Sequence, residues 1–204
     1  MSHEDVAHVT FTGSRAVGER VMELCAQRVA PICMELGGKS AQIVLGRSRL
    51  EIAAKTIAGI MFRTAGQACS AGSRVLVLPE LHDELRDLLV REAESLRVGE
   101  AADPATDMGP LISAAQRDRV LGQVATAAKG DAEILTGGAP GDRHPRGNFV
   151  LPTVIDNVSP DAELSRTELF GPVLASRPSP TSRRPSRSPT PRSTALSPGS
   201  GPTT

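Results

Sequence analysis

Short β-prone runs alternate with stretches of helical apolar spacing along most of the chain, and this alternation limits the folds that are possible. The run HVTFTGS ends in Gly13 and Ser14. Val17, Val21 and Cys25 then recur at helical spacing, so the stretch predicts a strand, a tight turn and a helix. Alternating elements of this kind are typical of an α/β fold with a mainly parallel sheet.

The same alternation continues downstream. SAQIVLG and RVLVL are predicted strands, and each precedes a helical stripe of apolar residues. Ser48 and Glu51 have capping-box spacing ahead of the first of these helices. Ser113 and Gln116 have the same spacing at the start of a further helix that ends before Gly130. AEILTGG and NFVLPTVIDNV are predicted as the closing strands, and no internal repeat is visible.

The composition changes abruptly after residue 175. Residues 176–204 contain five arginines, no acids and seven of the 16 prolines, with Leu196 as their only large aliphatic side chain. Such a segment cannot bury the apolar surface needed to offset its ordering entropy, so we expect a disordered tail. The net charge of zero leaves the first 175 residues at −5, which argues against nucleic acid as a partner.

The cysteines and the N-terminus bear on the compartment. Three cysteines in no CxxC or Cys/His spacing argue against both a disulfide framework and a metal site. The first residues lack the basic start and apolar run of a secretory signal. No apolar run approaches the ~20 residues that span a bilayer. We therefore expect a cytoplasmic protein with reduced thiols and no membrane partner.

Two stretches near the N-terminus can carry chemistry. In FTGSRAVGER, Gly13 and Ser14 precede a predicted helix whose free N–H groups suit a phosphate, although a plain serine N-cap explains the pattern equally well. In MELGGKS, Glu35 precedes a diglycine bend. It is either a base whose pKa is tuned by partial burial or a solvated acid in a turn.

Two later stretches offer a nucleophile and a ligand contact. Cys69 lies among small residues in GQACSAGSR, which suits an accessible nucleophile with a lowered pKa, but also a small buried side chain such as Cys25. In TELFGPV, Glu168 can bond a ribose diol and Phe170 can stack on a flat ring. By spacing alone this stretch is also only a turn.

In this order and spacing the stretches resemble the NAD(P)-dependent aldehyde dehydrogenase superfamily. The segments that carry the resemblance are FTGS, MELGGKS, GQACSAGSR, DMGPLIS and ELFGPV, and the resemblance as a whole extends over residues 3–175. Glu35 precedes Cys69 by 34 residues, as in the family. Several independent motifs in the right context make the resemblance specific.

The resemblance implies an α/β fold of the aldehyde dehydrogenase type with three parts. Residues 1–35 would be the last part of a Rossmann-type dinucleotide-binding domain. Residues 36–175 would be most of the catalytic domain, and residues 176–204 the disordered tail. A small-molecule aldehyde would be the substrate, and NAD or NADP the cofactor.

The resemblance also implies roles for individual residues. Cys69 would attack the aldehyde to give a thiohemiacetal and then a thioester, and Glu35 would activate the water that releases the acid. The cofactor-binding residues would be Gly13 and Ser14 at the pyrophosphate, the backbone of Leu36 and Gly37 at the nicotinamide, Glu168 at its ribose, and Phe170 beside it. Gly18, on the first turns of the helix, would let another surface come near.

Two departures from the family pattern limit what we expect of the chain. The sequence begins in the segment that leads into FTGS, without the family's oxyanion-hole asparagine and adenosine-ribose lysine. After ELFGPVLA it passes into the Ser/Arg/Pro-rich tail, which reads as a frame-shifted end. The family's oligomerisation strands are also absent, although its members are usually homo-oligomers.

We therefore expect weak or no aldehyde oxidation from these residues alone, because loss of one oxyanion donor costs ~10²- to 10³-fold in rate. The alternatives are a non-catalytic interaction fragment with an exposed sheet edge and a cysteine-dependent esterase without hydride transfer. The identity of the aldehyde and the choice between NAD and NADP do not follow from the sequence.

Overall fold

A computed structural model describes residues 3–141 and 147–179 of the chain. It divides into two compact units, Met1–Gly38 and Lys39–Thr204. The division falls three residues after the predicted boundary at residue 35, because the strand that carries Glu35 continues by one residue and is followed by two glycines. The first unit therefore contains the whole Glu35 strand.

The first unit is a strand–helix–strand motif. Its elements are β1 (Val9–Gly13), α1 (Arg15–Ala26) and β2 (Ile32–Leu36), and the two strands pair in parallel. The predicted strand, turn and helix are thus confirmed. Ser14 is the N-cap of α1, where its hydroxyl accepts a long hydrogen bond of 3.5 Å from the N–H of Val17.

A small apolar cluster holds this unit together. Val9, Val21 and Cys25 are buried in it, with Phe11 and Ile32 among the partly buried side chains around them. Cys25 is therefore a core side chain, as its position on the apolar stripe of the helix predicts.

The second unit contains a five-stranded sheet in the order β3-β4-β7-β6-β5. Among the strands in residues 3–141 and 147–179, only β5 runs antiparallel to its neighbour, so the predicted mainly parallel sheet is confirmed. The strands are β3 (Ala41–Val44), β4 (Arg74–Val77), β5 (Glu133–Thr136), β6 (Thr153–Asp156) and β7 (Val173–Pro178).

The helices of this unit are α2 (Leu50–Phe62), α3 (Pro79–Glu94), α4 (Ala114–Ala127) and α5 (Glu163–Arg166). The hydroxyl of Ser113 caps α4 by accepting from the N–H of Gln116 at 3.2 Å, as predicted. The predicted capping box at Ser48 and Glu51 is wrong. Helix α2 begins two residues after Ser48, with Arg49 at the N-cap and no side-chain cap.

One continuous apolar core lies between the sheet and its helices. Its large and almost fully inaccessible side chains are Met61, Phe62, Leu85, Leu89, Met108, Ile155, Leu169 and Leu174. Burial of each such side chain contributes roughly 1.5–3 kcal/mol. The core therefore supplies the main stabilising free energy of the second unit.

The predicted start of the disordered tail at residue 176 is too early. Strand β7 runs through Ser176 to Pro178, and the N–H of Ser179 donates to the carbonyl of Val77 at 2.8 Å. Backbone groups make this pairing, so a polar sequence can continue the strand without apolar side chains. The rest of the predicted tail, from residue 180, lies outside the described residues.

A buried polar pair joins helix α3 to strand β6. The Nε2 atom of His82 lies 2.9 Å from a carboxylate oxygen of Asp156, and the two side chains are 10% and 1% exposed. The other ring nitrogen faces the exposed Asp83 at 3.2 Å. His82 therefore gives the buried carboxylate of Asp156 its hydrogen-bond partner.

Replacement of His82 by Ala is expected to lower the free energy of unfolding by about 3 kcal/mol, because it leaves the buried carboxylate of Asp156 without its partner. Asp83→Asn is the matched control, since Asp83 contacts the same ring from the solvent side and should cost under about 0.5 kcal/mol. Urea unfolding followed by circular dichroism measures both. Equal decreases in the free energy of unfolding for His82→Ala and Asp83→Asn would contradict the importance of His82 as the partner of Asp156.

Candidate active site

Cys69 lies in the loop between α2 and β4 and is exposed. Tight turns shape the loop on either side: Gln67 N–H donates to the carbonyl of Thr64, and Ala71 N–H to that of Ala68. The thiol is therefore not a small buried side chain like that of Cys25. Its accessibility is the first requirement for a nucleophile.

A close backbone approach fixes the start of this loop. Gly66 has a φ of +67°, and a Cβ added to it would lie 2.2 Å from the carbonyl oxygen of Gly171. Only glycine combines this left-handed conformation with such an approach. The segments GQACSAGSR and ELFGPV, about 100 residues apart in the sequence, are thus in direct contact.

Two glutamines fix the rest of the loop. The side-chain oxygen of Gln67 accepts from the N–H of Ile112 at 3.0 Å, which attaches the loop to DMGPLIS. The side-chain amide of Gln42 donates to the carbonyl of Gly72 at 2.9 Å. Neither glutamine was singled out from the sequence, because a bond to a distant backbone group leaves no local pattern.

Helix α4 holds the ELFGP turn. The side-chain amide of Gln116 donates to the carbonyls of Leu169 and Phe170 at 2.6 and 2.9 Å, and Arg119 donates to the carbonyl of Glu168 at 3.0 Å. Phe170 has a φ of +56° and is 39% exposed. The turn therefore keeps an aromatic ring accessible, next to the half-buried Glu168.

The remaining predicted site residues belong to the first unit. Gly13 and Ser14 join β1 to α1, and Glu35 projects from β2 as an exposed side chain. A Cβ added to Gly18 would lie 2.7 Å from a methyl carbon of Leu36. The predicted role of Gly18 in a close approach is thus confirmed, and the surface that approaches is β2.

The predicted site residues therefore form two sets. One set, in the first unit, contains Gly13, Ser14, Glu35, Leu36 and Gly37. The other, in the second unit, contains Cys69, Glu168 and Phe170.

The structure adds a residue that the sequence did not single out. Lys39, in the segment MELGGKS, is 8% exposed, and its amine has no hydrogen-bond partner among the described residues. Burial, reinforced by the nearby Arg74, lowers its pKa from 10.5 to about 8, while Glu168 acts in the opposite sense. Burial depends on distant chain segments, so the local sequence gave no sign of it.

Lys39 should make stability depend on pH in a defined direction. Between pH 8 and 10.5 the unfolded chain holds a proton on Lys39 that the folded chain has largely lost, so stability increases as the pH rises through this window. Below pH 8 the full penalty applies, about 3 kcal/mol from the shift. Lys39→Met should remove this penalty at pH 7.

The measurement is thermal or urea unfolding of the wild type and of Lys39→Met in an amine buffer at several pH values. The excess stability of Lys39→Met should disappear by about pH 10.5. Lys55→Met is the matched control, because Lys55 is exposed on α2 and should give a change within about ±0.5 kcal/mol at every pH. If the difference in the free energy of unfolding between Lys39→Met and wild type did not change with pH, this would contradict the lowered pKa of Lys39.

Gly66→Ala should destabilise the protein by about 2 kcal/mol or more, because the methyl group meets the backbone of Gly171 and the left-handed conformation is strained. Gly59→Ala is the matched control. Gly59 lies within α2, and a methyl group added there would meet no neighbouring atom, so the change should stabilise by about 0.5–1 kcal/mol. If the urea midpoints of Gly66→Ala and Gly59→Ala moved in the same direction, this would contradict a close approach of Gly66 to the backbone of Gly171.

Comparison with known proteins places these segments in one family. The family model described as "Aldehyde dehydrogenase family" matches residues 1–181. Aminoaldehyde dehydrogenase 1, peroxisomal, from Pisum sativum is 41% identical over 175 residues, which is 85% of this chain and 35% of that protein. Aldehyde dehydrogenase, mitochondrial, from Leishmania tarentolae is 40% identical over 84% of this chain and 34% of that protein.

Solved structures of aldehyde dehydrogenases resemble this chain in fold as well as in sequence. A variant of the aldehyde dehydrogenase from Bacillus cereus has a TM-score of 0.85 and 35% identity, covering 89% of this chain and 36% of that one. Betaine aldehyde dehydrogenase from Staphylococcus aureus, in complex with NAD⁺, has a TM-score of 0.85 and 34% identity, covering 88% and 36%. This chain spans about a third of the length of these relatives. It belongs to the aldehyde dehydrogenase family.

Proposed function

We propose that this chain carries the nucleophile segment of an NAD(P)-dependent enzyme that oxidises an aldehyde to a carboxylic acid. The observation that carries the proposal is the exposed Cys69 in a loop held by three neighbouring segments. An accessible thiol in a rigid loop is suited to covalent catalysis, because its position is fixed before the substrate arrives.

Cys69 has two tasks in this proposal. The thiol proton passes to solvent as the sulfur attacks the carbonyl carbon. The C–S bond forms while the C=O π bond opens, and the oxyanion of the resulting thiohemiacetal accepts from the backbone N–H of Cys69. Oxidation of the thiohemiacetal leaves a thioester on the same sulfur. When bound, the nicotinamide supplies the hydride acceptor for this oxidation.

Glu35 is proposed as the base for the second half of the reaction. Its exposed carboxylate, on β2, takes a proton from water, and the water oxygen attacks the thioester carbon. The carboxylic acid forms as the C–S bond breaks, and the thiol of Cys69 is regenerated.

The residues proposed for the cofactor fit a dinucleotide in two places. Gly13 and Ser14 stand at the N-terminus of the 12-residue helix α1, where free N–H groups favour a pyrophosphate. The accessible ring of Phe170 and the carboxylate of Glu168 suit a flat ring and its ribose diol. The backbone of Leu36 and Gly37, which follows Glu35, is proposed to lie beside the nicotinamide.

The substrate is proposed only as a class. The relatives are named for aminoaldehydes, for betaine aldehyde and for 4-trimethylaminobutyraldehyde. An aldehyde panel for this chain should therefore include amino and trimethylammonium aldehydes beside simple aliphatic ones.

The cellular location is considered next to the described helices and the relatives' names. Among residues 3–141 and 147–179, no helix combines the length and apolar character needed to cross a membrane. We propose a cytoplasmic protein with reduced thiols, because its three cysteines stand in no CxxC or Cys/His spacing. Relatives carry the names of the peroxisome, the mitochondrion and the chloroplast, so compartments differ within the family.

We propose weak or no turnover by these 204 residues alone, since they correspond to about a third of each relative. A second candidate function is therefore an interaction fragment. Strand β3 lies at the edge of its sheet, and Ile43 and Leu45 beside that edge are 62% and 68% exposed. An exposed apolar edge favours pairing with another chain.

The test uses purified protein with the aldehyde panel and NAD or NADP, followed by NADH or NADPH absorbance. Cys69→Ala should reduce any formation of reduced cofactor to background, whereas Cys33→Ala, the other exposed cysteine, should not. Glu35→Gln should accumulate an acyl adduct on Cys69, visible by mass spectrometry, because the water step is impaired.

Reduced cofactor formed at the same rate by Cys69→Ala would contradict the proposal. A folded protein that forms none, and elutes as an assembly in size-exclusion chromatography, would favour the interaction fragment. Turnover of an activated ester without cofactor, dependent on Cys69, would instead indicate an esterase.

A further inference from the structure

Four buried side-chain atoms have no hydrogen-bond partner within the part of the chain that the structure describes. They are the amine of Lys39, the Nε atoms of Arg74 and Arg177, and the hydroxyl of Ser176. Three of these side chains are cationic. A buried charged donor without an acceptor is costly, so this group needs a physical explanation.

The sheet register places the three cations near one another. Arg74 pairs with Ala175, and Arg177 follows two residues later in β7, so the pleat puts both arginines on the same face. Ala41 of the neighbouring strand also pairs with Arg74, and Lys39 precedes Ala41 by two residues. The three side chains therefore belong to the β3-β4-β7 corner of one sheet.

Their electrostatic effects on one another agree with this placement. Burial and then Arg177 lower the pKa of Arg74, and Arg74 in turn contributes to the lowered pKa of Lys39. Glu168 is the acid that acts on Lys39, and its effect is smaller than that of Arg74. Positive charge is therefore in excess at this corner.

We propose that Lys39, Arg74 and Arg177 form a binding site for a small tetrahedral oxyanion, either phosphate or a phosphate monoester. The site goes beyond the proposed aldehyde oxidation and uses neither Cys69 nor Glu35. An anion there would give acceptors to the three unpartnered donors and reduce the repulsion among the cations.

The chemistry of the donors favours phosphate over a carboxylate. Guanidinium groups bind oxyanions through two parallel N–H bonds, and one of those commonly comes from Nε, the atom that is unpartnered in both arginines. Two guanidinium groups and an ammonium need more acceptor oxygens than one carboxylate has. Phosphate supplies enough oxygens and carries up to two negative charges near neutral pH.

The test is thermal unfolding of the full chain during titration with inorganic phosphate, glycerol phosphate or acetate at constant ionic strength. Saturating phosphate or phosphate ester should raise the melting temperature by about 5 °C, whereas acetate should not. A shift with inorganic phosphate identifies the free ion as a ligand. A shift with glycerol phosphate alone identifies an organic phosphate.

Lys39→Met and Arg177→Gln should each abolish the saturable shift. Lys55→Met and Arg91→Gln remove the same charges from exposed positions and should retain it. Arg177→Gln tests the site independently of Lys39, and line broadening of the inorganic phosphate signal in ³¹P NMR is a second readout for both variants. An unsaturable shift, a shift equal in Arg177→Gln and wild type, or a response to acetate alone would overturn the proposal.

Discussion

The contact between Gly66 and the carbonyl of Gly171 shapes the candidate site of the second unit more than any other interaction. It holds the start of the Cys69 loop against the ELFGP turn, at a separation that no side chain would permit. The glutamine bonds at either end of the loop then act on a segment whose path is already fixed. Accessibility of the thiol follows from backbone packing, because the loop has no large apolar side chain of its own to bury it.

The sheet of the second unit also brings three positively charged side chains close together, and their mutual repulsion is destabilising. Lys39 lies two residues before β3, Arg74 is the first residue of the neighbouring β4, and Arg177 adds a third cation from β7. Lys39 is buried, whereas Arg74 and Arg177 are partly buried side chains with an inaccessible Nε atom, and charged groups removed from water are stable where they are paired or bind a counter-charge. Membership of the aldehyde dehydrogenase family motivates the proposed roles of Cys69 and Glu35, whereas the excess of positive charge around Lys39, Arg74 and Arg177 motivates the proposed oxyanion site.

Sequence patterns predicted the elements well because the patterns are local. The helical stripe of α1 and the serine cap of α4 followed from residues within one or two turns of each other, and the mainly parallel sheet followed from the alternation of such local patterns along the chain. Two predictions were wrong, one for a local reason and one because of pairing between distant segments. Ser48 has the spacing of a capping residue but lies in a turn before α2, and the polar residues after 175 extend β7 through backbone bonds that composition does not reveal.

The order of strands and helices, and the motif segments that place the chain in its family, follow from the sequence alone, because hydrophobic period and motif spacing are properties of the chain itself. The exposure of Cys69 and the position of Lys39 beside Arg74 became known only from the folded structure, whereas the burial of Cys25 already followed from the apolar stripe of its helix. Exposure and charge proximity depend on which distant segments come together. Residues about 100 positions apart, such as Gly66 and Gly171, meet only after folding.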